Sequence, residues 1–217
     1  LNQEARDIVL DEVIGVIGMQ DTTIIFANKV IWPDVPSISE IKKAPYEAYA
    51  AFLSDVHVGS KKFMPDEFSK FAKWSNRMLG SEKQREIASK TKYVFITGDL
   101  VDGVGIYPEQ ASELEIKDIY EQYKVCAELV KEIRSDIKII ICPGNHDAMR
   151  ISEPQPRFSE EFASQLLKLP NVTCVSNPAI INFGATEAFP GFNVLMYHGY
   201  SFDYYIANVN SIRKNGG

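Results

Sequence analysis

The sequence predicts an α/β fold, and two observations carry that expectation. Short apolar, β-like runs alternate with stretches whose apolar residues recur at helical spacing. Several of those β-like runs also end in a compact polar motif. Open α/β sheets build their sites in loops beyond the carboxyl ends of strands, so motifs placed there point to a function as well as a fold.

In chain order, Asp11–Met19 (DEVIGVIGM) and Thr23–Trp32 (TIIFANKVIW) read as two strands joined by a short polar turn. Pro33, Pro36 and the polar run Ser37–Lys43 read as a linker. The expected division is a β module over 1–36, too small to fold alone, a linker over 37–45 and a main domain over 46–217. The main domain opens with the strand AYAAFLS, which runs into Asp55. A helix follows, with Pro65 in its first turn and Phe68, Phe71, Trp74 and Met78 as its stripe. Tyr93–Thr97 is a strand leading to Gly98-Asp99. A longer helix carries Ile116, Ile119, Tyr120, Tyr123, Val130 and Ile133. Ile137–Cys142 is a strand ending in Pro143-Gly144-Asn145-His146-Asp147. A helix near Ser159–Leu169, short strands at Val172–Val175 and Ala179–Phe183, and a last strand at Asn193–Tyr197 complete the pattern, the last running into His198. Phe68, Phe71, Trp74, Tyr120 and Tyr123 are expected in the core rather than on a ligand platform.

Composition narrows the function. Apolar residues make up 45% of the 217, enough for a real core, and the net charge is −6. A protein that holds nucleic acid unaided is usually basic, because affinity comes from neutralising phosphates. The acidic balance therefore argues against a stand-alone DNA or RNA binder, but not against an enzyme acting on phosphodiesters delivered by a partner. Cys126, Cys142 and Cys174 show neither zinc spacing nor a disulfide framework, so buried thiols and a reducing, cytoplasmic location are expected. No signal peptide and no apolar run of membrane-spanning length is evident, and no membrane partner is expected. A start at Leu1 without a Met and an end at Asn215-Gly216-Gly217, shortly after a motif, read as a fragment of a longer chain.

Four motifs carry candidate chemistry. In Asp55-Val56-His57-Val58-Gly59, side chains two apart on an extended segment point the same way, so Asp55 and His57 are expected to reach one metal together. In Gly98-Asp99-Leu100-Val101-Asp102, a carboxylate directly after a buried strand is costly unless paired or metal-bound. Asp99 could bridge two cations, while Asp102 is expected to orient a ligand or the backbone; read alone, Asp99 serves equally as a turn or helix-cap residue. In Gly144-Asn145-His146-Asp147, Asn145 offers a neutral oxygen ligand. His146 is a candidate proton donor or stabiliser of phosphate charge, and Asp147 would hold its imidazole in one tautomer. The fourth motif is Tyr197-His198-Gly199. All three histidines of the chain fall inside these motifs, which isolated structural roles do not explain.

In that order, D-V-H-V-G, G-D-L-V-D, G-N-H-D and Y-H-G resemble the calcineurin-like metallophosphoesterases, over about Tyr49 to Ser201. The resemblance implies a two-sheet α/β sandwich with two divalent metals at the strand ends, manganese first among the candidates and magnesium, iron or zinc as alternatives. It implies Asp55 and His57 on one metal, Asp99 bridging both, and Asn145 and His198 on the second. His146 would sit outside the ligand set, on the phosphate or leaving group. The family's late Gly-x-His-x-His has no counterpart, since no histidine follows His198; truncation, with weakened metal binding by this chain, is the expectation. The protein phosphatase branch fits poorly, because Gly103 stands where it has an Arg and Asp147 where it has a Glu.

The small subunits of archaeal family-D DNA polymerases are a closer resemblance. It rests on I-W-P-D-V-P, F-L-S-D-V-H-V-G-S-K, F-I-T-G-D-L-V-D-G-V-G-I-Y-P, C-P-G-N-H-D and H-G-Y-S-F-D. An OB-fold precedes the phosphoesterase domain in that family, so the two N-terminal strands would be its remnant. The B-subunits of eukaryotic replicative polymerases are similar in architecture, but their metal motifs have decayed. The implied activity is a proofreading 3′–5′ exonuclease at DNA 3′ ends, partnered by a large polymerase subunit, with a sliding clamp as a further candidate. Lys61, Lys62 and Arg150 would touch DNA phosphates at the rim, or equally be solvated surface charge. A repair nuclease of the same fold, another metal-dependent phosphodiesterase and a non-catalytic polymerase scaffold are the alternatives.

Overall fold

A computed structural model describes residues 4–35 and 42–215, so most of the linker expected over 37–45 lies outside the described residues. The chain packs as two units. Residues 43–198 form one; the other joins residues up to 42 with those from 199 onward, which the sequence reading had placed in the 46–217 domain.

The larger unit is built on four parallel strands, β3 (Tyr49–Leu53), β4 (Thr91–Thr97), β5 (Lys138–Cys142) and β6 (Val172–Cys174), in that spatial order. β4 and β5 are central and buried on both faces, so both read as continuous apolar runs. Alternate residues divide between two cores. Val94, Ile96, Ile139 and Ile141 face the helices α1 (Pro65–Ser75), α3 (Ile119–Lys131) and α4 (Glu160–Leu167), meeting Tyr123, Cys126, Val130 and Leu166. Phe95, Ile140 and Cys142 face the antiparallel hairpin β7 (Ala179–Phe183) and β8 (Phe192–Met196), meeting Ile181, Phe183, Val194 and Met196. Two sheets with apolar side chains between them and helices outside form the expected two-sheet α/β sandwich.

Several local expectations need correction. The first helix stops at Ser75, where the Asn76 side chain donates to the Ala72 carbonyl at 2.9 Å, so Met78 falls beyond it and is 77% exposed. A helix that the apolar pattern does not show, α2 (Glu82–Lys90), follows. It has almost no stripe, but Ser81 and Gln84 close a capping box at its start. α3 begins after Ile116, because Asp118 caps it by accepting from the Glu121 N–H at 3.0 Å. Tyr120 is half exposed, stacked on Phe162 with centroids 5.3 Å apart, rather than in the core. Cys126 and Cys142 are buried and Cys174 partly so, all unpaired. Burial pushes the Cys126 thiol far up and those of Cys142 and Cys174 to about 12, which keeps them inert near neutrality.

The smaller unit contains the hairpin β1 (Gly15–Gln20) and β2 (Ile25–Ile31), with a bulge at Ile17/Gly18, and two short helices, α5 (Phe202–Asn208) and α6 (Asn210–Lys214). Two strands do not distinguish an OB-fold remnant from any other hairpin. Among the described residues, no helix is long and apolar enough to cross a membrane.

Candidate metal centre

The four motifs follow β3, β4, β5 and β8, and the fold brings their chemistry to one rim. The parallel pairing of β3 and β4 continues past both strands. The Asp55 N–H donates to Gly98 O at 3.1 Å, the His57 N–H to Asp99 O at 3.0 Å and the Asp102 N–H to Val58 O at 3.0 Å. The first two motifs thus run side by side. Asp55 and His57 do not share an extended segment, as expected from the sequence; both are left-handed, with φ of 54° and 51°, and so is Asp99 at 51°. Non-glycine residues hold this conformation at a cost of roughly 1–3 kcal/mol each, and such strain clusters at functional sites.

Asp99 is the centre, 3% exposed. Its Oδ2 lies 3.6 Å from His57 Nε2 and 3.4 Å from His198 Nε2, while its Oδ1 accepts the His146 N–H at 2.9 Å. Asp55, half exposed, places Oδ1 3.9 Å from His57 Nε2. Asn145 Oδ1 stands 2.9 Å from His198 Nε2. Two glycines make the approach possible: a Cβ on Gly144 would lie 2.2 Å from Asp99 Oδ1, and one on Gly98 would lie 2.2 Å from His198 Nδ1.

Each imidazole is held by Nδ1 against an oxygen. His57 faces Asp102 Oδ1 at 3.1 Å, His146 the Asp102 carbonyl at 2.7 Å and His198 the Thr97 carbonyl at 3.0 Å. Carbonyl acceptors require Nδ1–H, which leaves Nε2 of His146 and His198 to serve the site. Asp102, buried and held by Gln110 Nε2 at 2.8 and 3.0 Å, thereby anchors two of the three rings.

Among the described residues, two groups fit a cation. His57, Asp99 and His146 form one, and Asp55, Asp99 and His198 the other; within each, the ligand atoms lie within 4.8 Å of one another. Ligands about 2.0–2.2 Å from an ion are at most about 4.4 Å apart, so a small contraction suffices. The protonation chemistry agrees with such a site. His198 Nε2 faces two acceptor oxygens, which a neutral imidazole there would repel. Burial works against its charge, but Asp99 and the Thr97 carbonyl overcome it and raise His198 to about 9. Burial likewise works against the Asp99 carboxylate, but bonds from His198 and the His146 N–H outweigh it and lower its pKa. Without metal, a proton on His198 does the work that a cation would do.

Asp147 is a correction. It does not hold the His146 ring, which the Asp102 carbonyl does. It is buried, accepts from Gly144 N–H at 2.8 Å, Leu100 N–H at 3.4 Å and the Tyr123 hydroxyl at 3.1 Å, and so pins the third motif to the second. Burial without a cationic partner raises its pKa to about 7. The expected rim cations are engaged locally: Lys61 Nζ donates to Ser112 O at 2.8 Å, Lys62 lies 3.6 Å from Glu113, and the Arg150 guanidinium folds onto the Pro154 carbonyl.

A buried amide relay, which no spacing in the sequence signals, joins the third and fourth motifs. Gln155 Nε2 donates to Gly144 O at 3.0 Å, Asn177 Nδ2 to Gln155 Oε1 at 2.8 Å, and the His198 N–H to Asn177 Oδ1 at 3.0 Å. Asn177→Leu would strand two buried groups at once. It is expected to cost about 3 kcal/mol in urea denaturation; a loss below about 1 kcal/mol would show that the relay is dispensable.

Residues 49–216 match the calcineurin-like phosphoesterase family. The DNA polymerase II small subunit of Methanothermobacter thermautotrophicus is 45% identical over 212 residues, covering 98% of this chain and 42% of that protein. Those of Archaeoglobus fulgidus (43% identical, 94% of this chain, 40% of that protein) and Pyrococcus furiosus (40% identical, 95% and 33%) are similar. The chain thus spans between a third and about two fifths of the length of these relatives. A family match over the strands and loops that carry Asp55, His57, Asp99, Asn145, His146 and His198 places the chain in the calcineurin-like phosphoesterase family.

Proposed function

We propose that this chain is the phosphoesterase part of a replicative DNA polymerase small subunit and removes nucleotides from DNA 3′ ends as a proofreading exonuclease. The observation that carries the reading is Asp99, one buried carboxylate common to two groups of ligand atoms. When bound, two divalent cations, with manganese the first candidate and magnesium, iron and zinc the alternatives, would neutralise charge on the phosphate and acidify a water. Asp99 sets the spacing of the two groups. His57 serves one; Asp55 and His198, the partners of Asp99 in the other group, serve the second rather than Asp55 joining His57, with Asn145 beside His198. Asp102 and the Thr97 carbonyl keep Nε2 of His57 and His198 turned inward. Asn145 adds an oxygen without adding charge. His146, held by the Asp102 carbonyl, presents Nε2 to protonate the leaving 3′-oxygen, while Asp147 keeps its loop in register.

The similarity to polymerase small subunits supports a large polymerase subunit as partner; a sliding clamp is proposed as a further partner. Lys61, Lys62 and Arg150 are proposed to meet DNA phosphates, with Lys62, whose side chain is exposed, the first to test. The N-terminal hairpin is proposed as part of an OB-fold.

The test is release of mononucleotides by the full-length protein from 5′-labelled single strands and mismatched 3′ ends. We expect manganese-dependent shortening from the 3′ end, abolished by chelator, and co-purification with the large subunit. Manganese binding without hydrolysis would favour the scaffold reading. Cleavage only of small phosphodiesters would favour a different phosphodiesterase.

A further inference from the structure

Beside Asp55, a hollow of about 210 Å³ opens between the end of β3 and the start of α1. Leu53, Asp55, Phe63, Met64, Phe68 and Phe71 line it. Phe63, Phe68 and Phe71 pack one side against the main core, with Phe68 and Phe71 edge to face at 6.2 Å, so the walls are fixed in place. Met64 lies at the mouth, 65% exposed.

We infer that this hollow receives the base of the terminal nucleotide, an inference that rests on the phosphodiesterase reading of the adjoining centre. Three observations select that occupant. Asp55 belongs both to the hollow and to a candidate ligand group, so an occupant sits within one nucleotide of the phosphate. The volume falls below the roughly 300 Å³ at which drug-sized pockets begin, which suits one flat ring system. The polar side chains of the lining are Ser54, Asp55 and Glu67, with no lysine, arginine or histidine among them. That lining repels a second phosphate and offers acceptors to amino and imino groups on a base edge. Aromatic and thioether contact serves every base, because each has a π-face, so the site requires a base without choosing among them.

The experiment uses full-length protein and two oligonucleotides that differ only at the 3′ terminus, one ending in a normal nucleotide and one in an abasic residue. The parent is expected to show a KM on the order of tenfold lower for the base-bearing end, the size of one stacking contact. Phe68→Leu, which keeps apolar volume and removes the ring, and Met64→Ala, at an exposed position, should each shrink that preference, raising KM for the base-bearing end toward that of the abasic end. Equal KM values for the two ends in the parent, or an undiminished preference in both variants, would overturn the assignment. A second readout separates it from the phosphodiesterase reading. A 3′-terminal 2-aminopurine should lose fluorescence on binding to the parent and less so with Phe68→Leu. Quenching without hydrolysis would sink the reaction and keep the pocket; hydrolysis without quenching or base preference would keep the reaction and sink the pocket.

Discussion

Asp99→Asn is expected to lower manganese-dependent hydrolysis by about 10³-fold or more, exceeding the 10–100-fold typical of a residue that merely supports a ligand. The reason is the shared geometry. Asp99 Oδ2 lies within 3.6 Å of both His57 and His198, so neutralising one carboxylate weakens both groups of ligand atoms. The variant should also lose its thermal response to manganese. In the parent, metal at 100 times its dissociation constant adds about 2.7 kcal/mol of stability. A third readout comes from chelated protein. His198 has a folded-state pKa raised to about 9, so its contribution is complete below its ordinary value of 6.5 and is lost as pH rises through 9. Asp99 has a lowered pKa, so its contribution is present above about 3.8 and is lost in acid. Metal-free parent should therefore lose stability between pH 6.5 and 9, and Asp99→Asn should flatten that slope. A variant that hydrolyses DNA like the parent would remove Asp99 from the centre.

The rim was legible in the sequence because its parts are local. An apolar strand followed by a glycine and a carboxylate can be read from a few residues; the ends of β3, β4 and β5 converge because parallel strands in one sheet end at the same edge, and β8 of the facing hairpin brings His198 to that edge. The sandwich was legible for a related reason: β4 and β5 are continuous apolar runs, and α3 carries its stripe at helical spacing. What escaped reading depends on contacts between distant segments or on single backbone angles. Asp55 and His57 were expected to align through strand alternation, yet they converge through left-handed backbone that no propensity marks. Asp147 sits beside His146 in sequence, but the acceptor for that ring is a carbonyl 44 residues away. Gln155 and Asn177 carry no motif at all; their role exists only because the loop before α4 meets the segment before β7. Tyr123 fitted the apolar stripe of α3, and its ring does pack there, but its hydroxyl belongs to the network that holds Asp147.

His146→Ala separates two roles that proximity alone leaves together. Its ring stands edge-on to His57 at 4.7 Å, and a nitrogen falls within the group formed with His57 and Asp99. A ligand and an acid would both stand there. The engagement of the two Asp99 oxygens favours the acid. The Nδ1–H bond to the Asp102 carbonyl turns Nε2 inward for either role, but the Asp99 oxygen nearest to this loop already accepts the backbone N–H of His146 itself. Asp99 Oδ2 faces His57 and His198 instead. Loss of a positioned acid costs about 10²–10⁴-fold in kcat with little change in KM. His146→Ala should therefore slow nucleotide release by that amount and keep the full manganese-induced rise in thermal stability. DNA with a better 3′ leaving group, such as a bridging 3′-phosphorothiolate at the terminal linkage, should recover much of the lost rate, because a thiolate leaves without a proton. If manganese no longer stabilises the variant and the sulfur-bridged substrate is cleaved no faster, His146 is a metal ligand and the proton must come from elsewhere.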